Sequence, residues 1–340
     1  MPSVNVPVRA HEAVPASPVE ALSAILSSEL SATEAEIAAS LHSPVGLIPD
    51  VAHHLVDAGG KRLRPLLTLA AARVGGGVGP GAIKLAAAVE FIHTATLLHD
   101  DVVDGSSLRR GRKAANLIWG EKASVLVGDF LFARAFNMMV ATGSMRVLDI
   151  LARASSVIAE GEVMQLAAIA SGEASRDTYL KVIEAKTAAL FAAACESGAI
   201  TAGASDTDVA ALADYGLQLG LAFQMVDDAL DYGGLTRELG KNTGDDFREG
   251  KATLPLIIAM ERADGDERLF WQRVLARRHQ PEELGQAMAH LRRTGAVEAT
   301  IEEARTRIAA ARAALDRLSR QDIVTALLGD LADYVAARVS

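Results

Sequence analysis

The chain has 340 residues, of which 50% are hydrophobic and 4% aromatic, and it carries a formal net charge of -9. This acidic balance disfavours a nucleic-acid partner, because phosphate binding needs an accessible basic surface. A single cysteine, Cys195, excludes an intrachain disulfide and a cysteine cluster, which fits a cytoplasmic location. No uncharged apolar run reaches the roughly eighteen residues of a membrane span, so we expect a soluble protein without a transmembrane segment.

The N-terminal residues 1–18 contain proline and lack the continuous apolar core of a secretory signal, so we expect a disordered tail. From residue 19 to residue 340, apolar residues recur at helical spacing and the breaks fall at glycine or proline. No convincing strand alternation appears. The pattern predicts one all-α domain, a helical bundle around a central cavity. The predicted helices span 19–41, 46–58, 63–74, 81–104, 121–142, 144–171, 175–201 and 206–233, with shorter helices between 253 and 337.

Two further segments have plain structural interpretations. VGGGVGPG at 74–81 follows a helix and lacks the Gly-Lys-Ser/Thr ending of a phosphate loop, so we interpret it as a turn between helices. Cys195 in FAAACES is interpreted as a small buried hydrophobe.

Two motifs of the form D-D-x-x-D interrupt apolar helical stretches. They are Asp100, Asp101 and Asp104 in LLHDDVVD, and Asp227, Asp228 and Asp231 in QMVDDALDY. The first and last aspartates of each motif leave the same helix face about one turn apart, so their carboxylates repel. Such acids are tolerable inside apolar segments only if a cation lies between them, and hard oxygen ligands favour Mg²⁺. The two motifs therefore predict a metal-bridged diphosphate site.

Blander explanations of the acidic motifs fit the sequence less well. A single acidic triplet is usually a solvated helix face, but the residues around both motifs are largely apolar. A calcium-binding loop is excluded, because Val102 stands where a ligand belongs and Gly111 where the bidentate glutamate should be.

Several basic segments complete the predicted site. They supply Lys61 and Arg64 in GGKRLRP, Arg109 and Arg110 in SSLRRGR, Lys186 with Thr187 in EAKTAALF, and Lys241 in GKNTGDD. His93 lies nearly two helical turns before Asp100 and shares its face. Each of these residues alone is more often a solvated charge or a core residue, but together they indicate two anion sites.

The charges separate the two anion sites. A diphosphate with about three negative charges cannot approach six carboxylates without divalent cations, so the aspartate-flanked site binds its diphosphate as a Mg²⁺ complex. A second diphosphate could be held without metal by Lys61, Arg64, His93 and Arg110.

At these residues the chain resembles the trans-isoprenyl diphosphate synthases of the polyprenyl synthetase family, and most of all the long-chain octaprenyl and decaprenyl synthases. The segments GGKRLRP, EFIHTATLLHDDVVDGSSLRRG, EGEVMQL, KTAALF, GLAFQMVDDALDY and GKNTGDDFREGKATLPL occur in family order, from about residue 44 to the C-terminus. The resemblance implies the all-α fold of the isoprenoid synthase type and a homodimer. It also implies head-to-tail condensation of an allylic diphosphate with isopentenyl diphosphate.

Carried over residue by residue, the resemblance assigns roles to the motif positions. Asp100, Asp104, Asp227 and Asp231 become ligands of Mg²⁺, of which three ions are expected with substrate bound, and Asp101 and Asp228 support them. Lys61, Arg64, His93 and Arg110 become the isopentenyl diphosphate site. Arg109, Lys186, Thr187, Gln224 and Lys241 become the allylic diphosphate site, with Lys186 and Lys241 also counted as catalytic. No motif position is lost, which argues against a non-catalytic partner subunit.

The product length also follows from the resemblance. In this family, bulky aromatic residues four or five positions before the first motif stop the growing chain early, and here those positions hold Thr96 and Ala95. We therefore expect products of roughly forty to fifty carbons, limited deeper in the protein by Phe130, Phe132 or Phe136. Farnesyl or geranylgeranyl diphosphate is the expected primer, and quinone side chains are the expected use. Release of so apolar a product would involve transient membrane contact.

Other functions remain open on sequence alone. One is a short-chain synthase making geranylgeranyl or farnesyl diphosphate, which a product assay would distinguish. A class I terpene cyclase is disfavoured by Asp231 and by GGKRLRP, because a cyclase needs no second diphosphate site. A non-enzymatic helical scaffold would show no turnover and no Mg²⁺ requirement.

Overall fold

The computed structural model describes residues 17–56, 62–109, 111–233 and 244–338. The predicted disordered tail lies outside the described residues except for Ser17 and Pro18, which begin the first helix. Ser17 accepts a hydrogen bond from the Glu20 amide, and the Glu20 carboxylate accepts one from the Ser17 amide over 2.8 Å. This reciprocal capping box, with proline in the first turn, explains why the helix begins here.

Eight helices form the first half of the fold. They are α1 (Pro18–Ile25), α2 (Ser27–Ser40), α3 (Leu47–Val56), α4 (Leu63–Gly75), α5 (Pro80–Val103), α6 (Ala115–Trp119), α7 (Glu121–Ala141) and α8 (Met145–Ser171). The predicted helix 19–41 is thus divided at Leu26, and α6 lies in a segment where no helix was predicted. The glycine-rich segment between α4 and α5 is the predicted turn.

The second half continues with helices of varied length. They are α9 (Arg176–Ile183), a π-helical turn (Glu184–Ala188), α10 (Ala189–Thr201), α11 (Asp206–Tyr232), α12 (Asp245–Glu249), α13 (Leu254–Glu261), α14 (Gly265–Leu275), α15 (Leu284–Thr294), α16 (Ala296–Leu315) and α17 (Ile323–Ala337). The predicted helix over 175–201 is confirmed as one unbroken helical run, within which the π turn separates α9 from α10. Short π turns inside helices are frequent at functional sites.

A small β-hairpin corrects the prediction that the chain has no strands. Strand β1 (Leu108–Arg109) pairs antiparallel with β2 (Arg112–Lys113) just after α5. Gly111 has a φ of 75°, which a residue with a side chain rarely adopts, and this permits the tight reversal. Two-residue strands leave no room for alternation, so periodicity could not reveal them.

The helices pack around two buried apolar clusters. One lies among α4, α11, α13 and α16, the other among α3, α5, α7 and α8, and α10 contributes to both. Small residues set the closest approach: a side-chain carbon added to Gly220 would lie 2.6 Å from the Ala188 backbone, and one added to Gly216 would lie 2.5 Å from the Phe191 carbonyl. Such close packing on small side chains suits a chain in which only 4% of residues are aromatic. The described residues therefore confirm the all-α class, with the hairpin as the exception.

Three helices are long and apolar enough to cross a membrane when judged by length and composition. They are α5, α7 and α11, and the fold buries 67%, 39% and 61% of their most apolar windows. The absence of a membrane span therefore stays a prediction. Among these helices α7 differs, because less than half of its apolar window is buried.

The single cysteine gives a direct test of the core. Cys195 is 1% exposed on α10, and burial raises the pKa of its thiol to about 12. Since the thiolate is the reactive form, the native protein should not react with a disulfide reagent such as Ellman's reagent at pH 8.

We expect one thiol to react per chain after denaturation and essentially none within an hour before it. Rapid reaction of the native protein would show that α10 is not packed as described.

Candidate active site

A cavity of about 640 Å³ opens where the C-terminal ends of α5 and α11 face each other. Asp100 and Asp104 line it from the first acidic motif, and Asp227, Asp228 and Asp231 line it from the second. The two motifs, far apart in sequence, thus meet across one space. This arrangement is what the sequence predicts for a metal-bridged site.

In the first motif, the outer and middle aspartates differ in environment. Asp100 is in the last turn of α5 and Asp104 caps its C-terminus, and both face the cavity. Asp101 is fully buried behind them, and Arg109 of β1 donates to its Oδ1 through Nε over 2.8 Å and also through Nη2. Burial raises the pKa of Asp101, and Arg109 offsets part of that rise. The hairpin therefore serves to hold Arg109 against Asp101.

In the second motif, Asp231 accepts hydrogen bonds from the backbone amides of Asp245 and Asp246 over 3.2 and 3.0 Å. These amides belong to α12, so the second motif is tied to the segment that follows α11. Burial raises the pKa of Asp246 well above its ordinary value, and Asp231 and Asp228 raise it further. The acids here are packed closely enough to disfavour one another's charge.

The middle aspartate of the second motif, Asp228, is only 5% exposed and has no cationic partner among the described residues. Tyr179 of α9 donates its hydroxyl to Asp228 Oδ2 over 2.7 Å, and Gln224 donates its amide to Oδ1 over 2.8 Å. Thr187 in turn donates to Gln224 Oε1 over 2.9 Å. Burial raises the pKa of Asp228 to about 7, so the carboxylate is costly and these donors stabilise it.

Two cations of the chain contact the outer aspartates. Lys251 lies 3.0 Å from Asp104 and 2.6 Å from Glu249. Burial lowers the pKa of Lys251, but the two acids outweigh burial and raise it above its ordinary value. Arg338, just after α17, lies 3.0 Å from Asp227 Oδ1, an ion pair in distance that lacks the angle of a hydrogen bond.

Lys186 extends into the cavity from the π turn. Its ammonium lies 2.7 Å from Glu162 Oε2 and donates to Gln165 Oε1 over 2.7 Å, both on α8. Burial raises the pKa of Glu162 to about 7, Asp100 adds to the rise, and Lys186 opposes it. The π turn places Lys186 and its neighbour Thr187 on the wall of the same cavity, where a diphosphate between the acidic motifs would reach both.

The predicted isopentenyl diphosphate site is described only in part. Arg64 and His93 line the cavity, and the Arg64 guanidinium lies 4.6 Å from the Phe191 ring centre. Lys61, Arg110 and Lys241 lie outside the described residues, so their predicted roles stay predictions. The two described members come from α4 and α5, whereas the second acidic motif belongs to α11.

Arg62, between the predicted ligands Lys61 and Arg64, has a structural role. It has a left-handed φ of 44° just before α4. Its three guanidinium nitrogens contact Glu34 over 2.9 Å, Glu90 over 2.5 Å and the Val56 carbonyl over 3.0 Å. Such bonds fix the backbone at the start of α4, where Arg64 follows one half-turn later.

The composition of the cavity wall fits divalent cations. Its described residues include eleven Asp or Glu side chains and six Lys or Arg side chains, so acid is in excess. No group of three or more His, Cys, Asp or Glu among the described residues is close enough to form a ready-made metal site. Mg²⁺ characteristically binds through one or two carboxylates and completes its shell with water and substrate phosphates. The residues therefore fit ions that are held jointly by the aspartates and a diphosphate.

Several residues of the site escape sequence reasoning. Glu162, Gln165, Tyr179, Asp246 and Arg338 all line the cavity, yet no role was predicted for them. Glu162 and Gln165 stand in the motif EGEVMQL, so a signal was present. For Tyr179 and Arg338 the sequence gives no such signal. Only folding brings α9 and the end of α17 next to α11.

Paired D-D-x-x-D motifs on two long helices facing one cavity, in an all-α bundle, define a protein of the isoprenoid synthase type. The chain belongs to the polyprenyl synthetase family, whose model matches residues 45–291. This confirms the resemblance that the motifs indicate.

Individual relatives agree. Octaprenyl diphosphate synthase of Escherichia coli K12 is 47% identical over 242 residues, covering 71% of this chain and 75% of that protein. The crystal structure of a polyprenyl synthase from Caulobacter crescentus CB15, complexed with calcium and isoprenyl diphosphate, matches with a TM-score of 0.91 and 53% identity over 95% of this chain and 98% of that one. The crystal structure of a decaprenyl diphosphate synthase from Rhodobacter capsulatus matches with a TM-score of 0.90 and 54% identity, over 95% of this chain and 100% of that one.

Proposed function

We propose that the protein is a Mg²⁺-dependent long-chain trans-polyprenyl diphosphate synthase that condenses isopentenyl diphosphate head-to-tail with an allylic diphosphate. The carrying observation is that both acidic motifs and the cations Lys186 and Arg64 line one cavity. One part of the cavity is rich in acids and suits a metal-bound diphosphate, while a neighbouring part has basic residues. This difference suits a reaction in which one diphosphate leaves and the other only anchors its molecule. The octaprenyl and decaprenyl synthases at 47% and 54% identity support a long product.

In the proposed mechanism the acidic and the basic residues of the cavity have different roles. Mg²⁺ held by the outer aspartates would supply the charge that stabilises the departing diphosphate. Lys186, Thr187 and Gln224 orient the allylic diphosphate, while Arg64 and His93 hold isopentenyl diphosphate beside it.

The bond changes balance without any further reagent. The allylic carbon–oxygen bond breaks, the double bond of isopentenyl diphosphate supplies the electron pair of the new carbon–carbon bond, and a proton then leaves to the released diphosphate. Leu97, Phe223 and Val335 on the cavity wall exclude the water that would quench the allylic cation.

We assign farnesyl or geranylgeranyl diphosphate as primer, a product of roughly forty to fifty carbons, and quinone side chains as its use. Thr96 supports the length, because its small side chain lies on the cavity wall and its hydroxyl is turned back to the His93 carbonyl, to which it donates over 2.8 Å. Ala95, the other predicted length position, is fully buried in the apolar cluster that α5 shares with α7. Thr96 is therefore the sharper position to test.

The protein is further proposed to act as a cytoplasmic homodimer that touches a membrane transiently to release its product. The apolar residues that α7 and the adjoining α8 leave exposed support the dimer. They are Leu126, Val140, Met145 and Val163, which are 66%, 61%, 74% and 66% exposed. Apolar side chains left exposed on adjoining helices favour an interaction surface, for which a second copy of the chain is the commonest partner.

The metal requirement gives the first prediction for activity. Asp100→Ala and Asp227→Ala should each lower kcat at saturating Mg²⁺ by a factor of about 100 or more, because each removes a ligand that acts in the transition state. Incorporation of labelled isopentenyl diphosphate measures this. Asp177→Ala, an exposed aspartate paired with Lys181, is the matched control. Near-normal turnover in either site variant, or full activity after exhaustive chelation, would contradict the proposed function.

The second prediction concerns product length. Thr96→Phe should shorten the main product from about C40–C50 to about C20 or less, because a ring on the wall blocks the growing chain. Mass spectrometry of the products of the purified protein measures the length, and Thr96→Val controls for loss of the hydroxyl. An unchanged product in Thr96→Phe would refute the role of this position. A wild-type product of about C15–C20 would instead identify a short-chain synthase, and a cyclic hydrocarbon a terpene cyclase.

The third prediction separates the two diphosphate sites. Lys186→Met should lower kcat/KM for the allylic primer by about 100-fold, roughly 3 kcal/mol, and change KM for isopentenyl diphosphate less than about twofold. Steady-state kinetics with each substrate varied in turn measures both constants. Lys181→Met removes an exposed lysine more than one turn earlier and should be nearly silent. Equal losses for both substrates would mean that Lys186 does not distinguish the sites.

A further inference from the structure

A hydrogen-bond relay runs from Tyr179 on α9 through Asp228 and Gln224 on α11 to Thr187 in the π turn. Tyr179, Asp228 and Thr187 are 6%, 5% and 8% exposed, so water competes little for these bonds. All four side chains nevertheless border the cavity. The relay therefore couples a buried phenol to the two residues assigned to the allylic diphosphate.

Asp228 determines which groups of the relay donate and which accept. Both of its carboxylate oxygens accept, one from Tyr179 and one from Gln224. Gln224 must then turn its NH₂ group towards Asp228 and its carbonyl towards Thr187. One N–H of Gln224 is left for an anion in the cavity, and Thr187 holds Gln224 in that orientation by donating to its carbonyl oxygen.

We propose that Tyr179 is a positioning residue for the allylic diphosphate, acting through Asp228 to fix the orientation of Gln224 and Thr187. The inference rests on the proposed function. In this arrangement Asp228 orients the neighbouring donors, while Asp227 and Asp231 are the members of the motif that face the metal-bound diphosphate. The hydroxyl of Tyr179 is donated to Asp228, so we expect its effect to appear in the binding of one substrate.

Removing a single oxygen tests the role. Tyr179→Phe keeps the ring in its place in the apolar core but takes one of two donors from the buried Asp228 carboxylate. KM for the allylic primer should rise about tenfold, and KM for isopentenyl diphosphate should change less than about twofold. A non-reactive thiodiphosphate analogue of farnesyl diphosphate should also raise the melting temperature of the variant less than that of the wild type, which reports binding without turnover.

The chain offers a matched control in Tyr215, which is also buried and packs into the same apolar cluster. It donates its hydroxyl to the Leu328 carbonyl over 2.8 Å, away from the cavity. Tyr215→Phe should cost stability as Tyr179→Phe does, yet leave both KM values within about twofold of the wild type.

A double-mutant cycle with Thr187→Val tests the relay itself. If Tyr179 acts through Gln224 and Thr187, the losses in kcat/KM for the primer should combine to much less than their product. If Tyr179 only packs, the two losses should multiply, and that result would overturn the inference.

The outcomes also distinguish this inference from the proposed function. Loss of primer binding in Lys186→Met without any loss in Tyr179→Phe would overturn the inference about Tyr179 but not the proposed function. A Tyr179→Phe variant whose only change is a higher Mg²⁺ concentration at half-maximal activity would also overturn it, because Asp228 would then act on the metal. Absence of condensation by the wild type would refute the proposed function itself.

Discussion

The cost of holding many carboxylates in a low-dielectric cavity is the constraint on which the rest of this structure depends. Eleven acidic side chains border the described part of the cavity, and two of them, Glu90 and Asp228, are buried. Two like charges a few ångströms apart inside a protein repel far more strongly than in water. Burial first, and neighbouring carboxylates in addition, raise the pKa of Glu162 and that of Asp228 to about 7. The fold must therefore supply compensating charge or hydrogen-bond donors wherever an acid faces inward.

The chain compensates its acids in two different ways. The outer aspartates Asp104 and Asp227 face the cations Lys251 and Arg338, which come from distant segments and border the cavity. Both partners of each pair border the open space of the cavity. The middle aspartates Asp101 and Asp228 are instead buried and bonded to Arg109 and to neutral donors. Each three-acid motif thus combines outer acids on the cavity wall with a buried middle acid that donors of the fold hold in place.

The fold class and both motifs could be predicted from the sequence because they are written in local patterns. Helical periodicity and glycine or proline breaks mark the long helices, and the four-residue spacing puts Asp100 and Asp104 on one face. Local patterns cannot show which distant side chains meet. Tyr179 beside Asp228 and Arg338 beside Asp227 are contacts between helices far apart in sequence. The π turn at Lys186 also left no periodicity signal, because one widened turn is shorter than the window in which a helix is recognised.

The close contact at Gly220 links the bundle's architecture to its chemistry. Gly220, Gln224 and Asp228 follow one another at four-residue steps along α11, and the Ala188 backbone presses against the first of them. A bare backbone at this crossing sets the separation between α11 and the π turn, and with it the span that the Thr187–Gln224 bond must bridge. Even an alanine here would wedge the two segments apart. The geometry of the Thr187–Gln224 bond therefore depends on a glycine that does not itself line the cavity.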